Sequence, residues 1–501
     1  MPTIDDMRPK PNHLLATVAL LCVCCSACSD YHPAKFQYEA EKRLHFAEKL
    51  LSDAQLKNEL LNPPVVREIQ IAYNGALDYC FKVLDSVDRV RNVREWEDIS
   101  RLSFQAGTRL SQLMFPERRY DSCLVVLRGL SDRISLPLLE SASLKVNLAQ
   151  VLQASGRWSE AVATFSEAVD MLNPPVDPTG QVIHSVFDLP AHIYHVQRQT
   201  ADSLAADSSL KHAFSYYRSF VNSRSHPNLV LAAHGSLASL YADVKDWRSS
   251  IMELSKIKDS AGAVVLDAQV RIADINAGEL PDSDSALAMY GRIESRLIGR
   301  DTALRPILLF KRSLVYMDKK QYDEARRLLM ELDRNYHAYF LASPAAQQVK
   351  ARSYELDGNW GRAETEYRFL IENYAGSEEA LQAYLYLGEQ FAKQGRATEA
   401  ERWMQKADAY YQQAAERSAG SPAEARALTY KAEMLRRKSD WSGAASVLTT
   451  IFDKFPDSEI GQKAIMVAVG LYQEKLSNPA VADSLVTVLR SRLVKTESIG
   501  Q

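Results

Sequence analysis

Histidine, cysteine and carboxylate side chains carry most protein chemistry, and in this 501-residue chain they fall into a few groupings. His192 and His195 stand three apart, a spacing at which two imidazoles share a helix face and could hold a metal. With no further ligands placed to complete a tetrahedral set, they read as two ordinary histidines on a helix. Glu364 and Glu366 belong to a charged helix surface, where acids of this kind are solvated. Cys80 and Cys123 read as small apolar core residues, with a disulfide between them as the alternative in an oxidising compartment. The other four of the six cysteines, Cys22, Cys24, Cys25 and Cys28, crowd into the first 28 residues. A phosphate-cradling glycine loop, a His-Glu-x-x-His pair and a nucleophile elbow are all missing from the sequence. It is therefore expected to encode no enzyme, no metal site and no cofactor site.

What the chain does carry is a repeating helix face. In Gly156-Arg157-Trp158-Ser159-Glu160-Ala161-Val162-Ala163-Thr164-Phe165-Ser166-Glu167-Ala168, a turn at Gly156 precedes an aromatic, and then Ala161, Phe165 and Ala168 fall on one side of a 3.6-residue helix. Small residues recur as anchors at Ala40, Ala76, Cys123, Ala161, Ala213, Ser250, Ala286, Ala325, Ala363, Ala400, Ala444 and Ala482. Apolar residues follow four on (Phe165, Tyr217, Tyr367, Met404) and seven on (Ala168, Ile257, Leu370, Ala407). Twelve before most anchors stands another small residue, among them Ser111, Ala149, Ala201, Ala351, Gly388 and Gly470. Small side chains on both helices let two axes approach closely. A period of 36 to 52 residues means stacked supersecondary units, each burying its apolar face only against its neighbours.

This pattern resembles the tetratricopeptide repeat over residues 37 to 492, with Trp158, Trp247, Tyr322, Trp360 and Trp441 at the turn position. The resemblance implies an all-α solenoid of helical hairpins that works by binding proteins or peptides along a wall lined by the first helix of each pair. Extending the repeat register puts Gln150, Gln153, Arg352, Glu355, Glu389, Glu433 and Arg436 on that wall. The Lys and Asn pattern with which such proteins clamp a C-terminal carboxylate is not evident. In the second half, Tyr374-Ala375-Gly376-Ser377 and Phe455-Pro456-Asp457-Ser458 are similar to the aromatic-Pro-x-Ser joints of periplasmic envelope proteins, including an outer-membrane barrel-assembly lipoprotein. Serine there is placed to cap the next helix.

Before the repeats, Met7-Arg8-Pro9-Lys10 is basic and Leu14 to Ala27 is an apolar run of 14 residues, the layout of a secretory signal. Asp5 and Asp6 precede the basic group, which leaves Met7 as an alternative start. The ending Cys25-Ser26-Ala27-Cys28 resembles a bacterial lipobox, with Cys25 where leucine is usual, and implies acylation of Cys28 and attachment to a membrane surface. Ser29 favours the outer membrane by the same resemblance. The expected organisation is a leader at 1–27, a tether at 28–35, helical repeats at 36–172, a Pro-rich inserted loop at 173–190, a second repeat array at 191–494 and a tail at 495–501. The insertion reads either as a binding loop or as a passive linker. With 60 basic against 63 acidic residues the chain has no charge excess for nucleic acid. The expected role is a lipid-anchored scaffold for envelope proteins, facing the periplasm. The rival is a surface glycan-binding lipoprotein that partners an outer-membrane transporter.

Overall fold

The computed structural model describes residues 33–57, 62–87, 89, 92–199, 203–222, 225–297, 303–336, 343–456 and 458–498. Cys28 and the expected leader lie outside them. The chain forms two compact units, one ending at Leu240 and the other beginning at Tyr241. In the first, the helices are α1 Pro33–Leu56, α2 Pro63–Ser86, α3 Val93–Met114, α4 Tyr120–Arg133, α5 Leu138–Ala154, α6 Trp158–Met171, the single turn α7 His184–Phe187, α8 Leu189–Gln199 and α9 Ser203–Asn222. Helix α10, Pro227–Asp243, carries the boundary. The second unit continues with α11 Trp247–Leu254, α12 Leu266–Gly278, α13 Ser283–Arg296, α14 Leu304–Asp318, α15 Tyr322–Tyr336, α16 Ser343–Leu356, α17 Trp360–Asn373 and α18 Glu378–Lys393. It closes with α19 Ala397–Arg417, α20 Pro422–Arg437, α21 Trp441–Lys454, α22 Glu459–Glu474 and α23 Pro479–Ser498.

Consecutive helices pack as hairpins: α1/α2, α3/α4, α5/α6 and α8/α9 in the first unit, α12/α13 through α22/α23 in the second. The local cause is a repeated turn. Arg118, Gly156, Lys245, Lys320, Gly358, Gly395 and Ser439 all take left-handed φ, and each stands two residues before a second helix begins. That conformation lets the turn's N–H groups reach back to the last carbonyls of the first helix, as Gly156 N does to Gln153 and Arg157 N to Leu152. The next helix then starts on its aromatic: Tyr120, Trp158, Trp247, Tyr322, Trp360 or Trp441. Asn359 and Asp440 cap two of these starts through the N–H groups of Arg362 and Gly443.

All twelve anchors are buried, Ala161, Ala363 and Ala444 completely and Ala400 to 7% exposure. Phe165, Ala168 and Tyr367 are buried beside them. The small residue twelve earlier meets its anchor directly at one pair, where the Cys123 thiol donates to the Ser111 carbonyl oxygen at 3.5 Å. Ala351 with Ala363, and Ala432 with Ala444, share single core clusters. Ala201 lies outside the described residues. Eleven anchors occupy second helices; Ala40 corrects the series, since α1 is the first helix of its hairpin and repeats the same apolar spacing by itself. Helix α1 is one continuous helix that begins at Pro33, inside the expected tether.

The fold is all-α, a tetratricopeptide-type solenoid of helical hairpins within each unit. In the first unit α1 touches α3, and around the short α7 so do α5 with α7 and α6 with α8; in the second unit the helices two apart that touch are the first helices α14, α16, α18, α20 and α22 in series. In each unit the first helices are where the candidate residues of that unit stand.

Candidate partner-binding wall

Of the seven wall residues predicted from the register, all lie on first helices: Gln150 and Gln153 on α5, Arg352 and Glu355 on α16, Glu389 on α18, Glu433 and Arg436 on α20. Gln150, Arg352 and Arg436 are exposed. The other four are half-buried and are used inside the stack. Gln153 Oε1 lies 2.8 Å from His192 Nε2 on α8, and the His192 ring sits edge-on to Phe165 with centroids 5.0 Å apart. Burial, and then the neighbouring His195, push the His192 pKa below its usual value. His192 is thus a packed inter-repeat contact, while His195 is exposed. Among the described residues no group of three or more His, Cys, Asp or Glu is placed to hold a metal ion.

Glu355 accepts hydrogen bonds from the Tyr367 hydroxyl at 3.2 Å and from the Tyr386 hydroxyl, joining α16, α17 and α18. Burial and the Glu355 charge raise both phenols, Tyr386 to about 12, so both stay protonated donors. Glu389 pairs with Arg437 across α18 and α20, while Glu433 holds Arg436 at 2.8 Å and Arg437 at 2.9 Å. Similar cross-repeat pairs continue the pattern: Lys311 on α14 grips Asp274 on α12 at 2.9 Å, and Gln348 on α16 meets Gln382 on α18 at 3.2 Å. Glu364 and Glu366 are not the solvated acids expected of them. Glu366 holds Lys350 at 3.0 Å and Glu364 pairs with Arg368, each carboxylate side chain less than a fifth exposed. Cys80 and Cys123 are free thiols, and burial pushes Cys80 up to about 11.

The Pro-rich segment is tied down at both ends. Val176 and Val182 bridge antiparallel, and the Asp177 carboxylate accepts from Thr179 N, Thr179 Oγ1 and Gln181 N at 2.7 to 2.9 Å. Gly180 at its tip lies against His226, and Phe187 is fully buried, its carbonyl accepting from the Tyr217 hydroxyl at 3.1 Å. Sequence reasoning missed a second hairpin of the same build in the other unit. There Lys258 bridges Val264, and Asp259 accepts from Ala261 N and Ala263 N. Both hairpins carry Asp-x-x-Gly, at Asp177–Gly180 and Asp259–Gly262, and that was the available signal. Helix α11 is only eight residues long, so the second hairpin fits without lengthening the repeat period. Ile257, expected on the second-helix face, lies beyond α11 in this hairpin.

A tetratricopeptide repeat family model matches residues 349–410, from α16 to α19. No curated protein matches the chain. Among solved structures, a tetratricopeptide repeat protein from Parabacteroides merdae is 13% identical, covering 56% of this chain and 98% of its own, with a TM-score of 0.31. Yeast Tom70 is 12% identical over 88% of this chain and 96% of its own, TM-score 0.36. The quorum sensor NprR from B. thuringiensis is 12% identical over 67% and 98%, TM-score 0.35.

Proposed function

We propose that this protein is a lipid-anchored scaffold of the bacterial cell envelope, tethered through Cys28 to the outer membrane and facing the periplasm. Its partners are envelope proteins or peptides engaged in outer-membrane or cell-wall assembly. The observation that carries the binding role is the continuous series of first helices from α14 to α22, with side chains linking α12 to α14, α16 to α18 and α18 to α20. Such a wall is pre-organised, so a partner does not have to order it on binding. Tethering raises the local concentration of whatever it holds.

The six tryptophans argue for this reading over glycan binding. Trp158, Trp247, Trp360 and Trp441 begin second helices, while Trp96 and Trp403 are buried at 7% and 6% exposure, so their rings serve repeat joints and cores. The anchor rests on the leader-like segment and Cys25-Ser26-Ala27-Cys28. Its test is metabolic labelling with an alkyne fatty acid of the full chain in a Gram-negative host, comparing wild type with Cys28→Ser. The wild type should label and fractionate with membranes, and the variant should do neither. Continued labelling of the variant would remove the anchor from the account.

A further inference from the structure

Resting on the first-helix reading and sharpening it, we infer that a recess between α3 and α5 docks an uncharged, extended stretch of partner polypeptide through one apolar side chain. The recess has a volume of 170 Å³, and none of the eight residues lining it is charged. Leu127, fully buried, and Val151, 3% exposed, give it an apolar floor, and Phe115 is open to solvent at its edge. The space suits a single side chain rather than a helix, which with its side chains is about 10 Å across.

Above this floor stand Asn147 and Gln150, consecutive turns of α5. Neither has a hydrogen-bond partner among the described residues. Several other first-helix amides are by contrast spent inside the protein: Gln153 on His192, Gln347 on Glu366, Gln348 on Gln382, and Gln382 on Tyr430. A primary amide offers a donor and an acceptor together, the complement of a main-chain peptide group. Gln112 completes the set with its amino group, since its oxygen accepts from the Arg109 guanidinium at 3.1 Å. A charged partner side chain entering here would shed water against Leu127 and Val151 with no charged residue in the lining to meet it, which is costly. An apolar one would bury its surface, and its flanking peptide groups would meet the open amides.

The test places the photoreactive residue p-benzoyl-phenylalanine at Gln150 of the full-length protein. Parallel strains carry it at Arg436 on α20 and at Val125, an exposed position on the second helix α4. Cells are irradiated and the crosslinked peptides are sequenced by mass spectrometry. The inference expects the adduct at Gln150 to fall in a stretch without Asp, Glu, Lys or Arg that carries an aliphatic or aromatic residue. A synthetic peptide of that stretch should bind the purified protein equally at low and high salt. Gln150→Ala and Asn147→Ala should each weaken it about 2- to 12-fold, the worth of one hydrogen bond. An acidic or basic stretch, or salt-sensitive binding, overturns the recess and leaves the wall standing. So do adducts at Arg436 with none at Gln150. Adducts at Val125 alone, or at none of the three positions, overturn both.

Discussion

Gly461→Ala puts a number on the joint between α21 and α22. Gly461 is the third residue of α22, and its N–H donates to the capping Ser458 Oγ at 3.0 Å. A Cβ built there would lie 1.9 Å from the Phe455 carbonyl oxygen. Carbon–oxygen contacts normally begin near 3.3 Å, so helix and carbonyl would have to part by roughly 1.4 Å. That oxygen accepts both Ser458 N at 3.1 Å and Ser458 Oγ at 2.8 Å. Losing both bonds costs about 1–3 kcal/mol, and loosening the serine cap costs about 1 kcal/mol more. The better helix propensity of alanine returns about 1 kcal/mol. The net expectation is a loss of about 1–3 kcal/mol at this joint. Gly470→Ala is the internal control: it lies in the same helix, nothing stands within 4 Å of its Cβ, and it should stabilise by up to about 1 kcal/mol. Because repeat arrays open in parts, the assay is hydrogen exchange of residues 455–475 alongside urea unfolding of the whole chain. Equal or greater protection in Gly461→Ala than in Gly470→Ala would refute the reasoning.

Ala161→Leu and Ala363→Leu push a side chain into fully buried helix contacts and should each cost about 1–3 kcal/mol by urea unfolding; neutrality at both would put the repeat register in error. Glu424 is held below its ordinary pKa: burial opposes this, but Lys454 and the Gly420 N–H, 2.6 Å away, stabilise the carboxylate and prevail. A lowered folded-state pKa means stability that is present above the unfolded value, near 4.5, and lost as pH falls through the folded value. The gap in urea midpoint between wild type and Glu424→Gln should therefore be widest at neutral pH and close in acid, and a gap independent of pH would contradict the ion pair. Cys80 and Cys123, buried and raised in pKa, should resist iodoacetamide in the native protein and react on denaturation. Rapid native alkylation of either would be inconsistent with the packed core.

The repeat was legible because its rule is local and steric. Small residues such as Ala161 and Ala363 are demanded wherever two helix axes approach, and the chain must supply them again each time. The same rule misplaced Ala40, because α1 carries the same apolar spacing on a first helix. Gly470 follows the small-residue pattern although a Cβ would fit there, so not every small position is a sterically required one. The Asp259 hairpin was hidden by conservation of length, since the shortness of α11 offsets the residues it uses. The register placed its seven residues on first helices, and they lie there. Register fixes the face a residue occupies; it does not tell whether Glu355 or Glu389 meets a partner or a neighbour 12 to 48 residues away, as in the Tyr367 and Arg437 contacts. Those pairings exist only once the helices pack on one another.

A partner on the first helices leaves a footprint that methionines can report. Met466 on the first helix α22 is 61% exposed, whereas Met252 on α11 and Met330 on α15, both second helices, are 52% and 44% exposed. Solvent-accessible methionines oxidise readily to the sulfoxide. Oxidative footprinting of the full-length protein, free and bound to the partner recovered by crosslinking, should show Met466 protected while Met252 and Met330 oxidise as before. Protection of Met252 or Met330 with Met466 unchanged would place the partner on the other face and contradict the account.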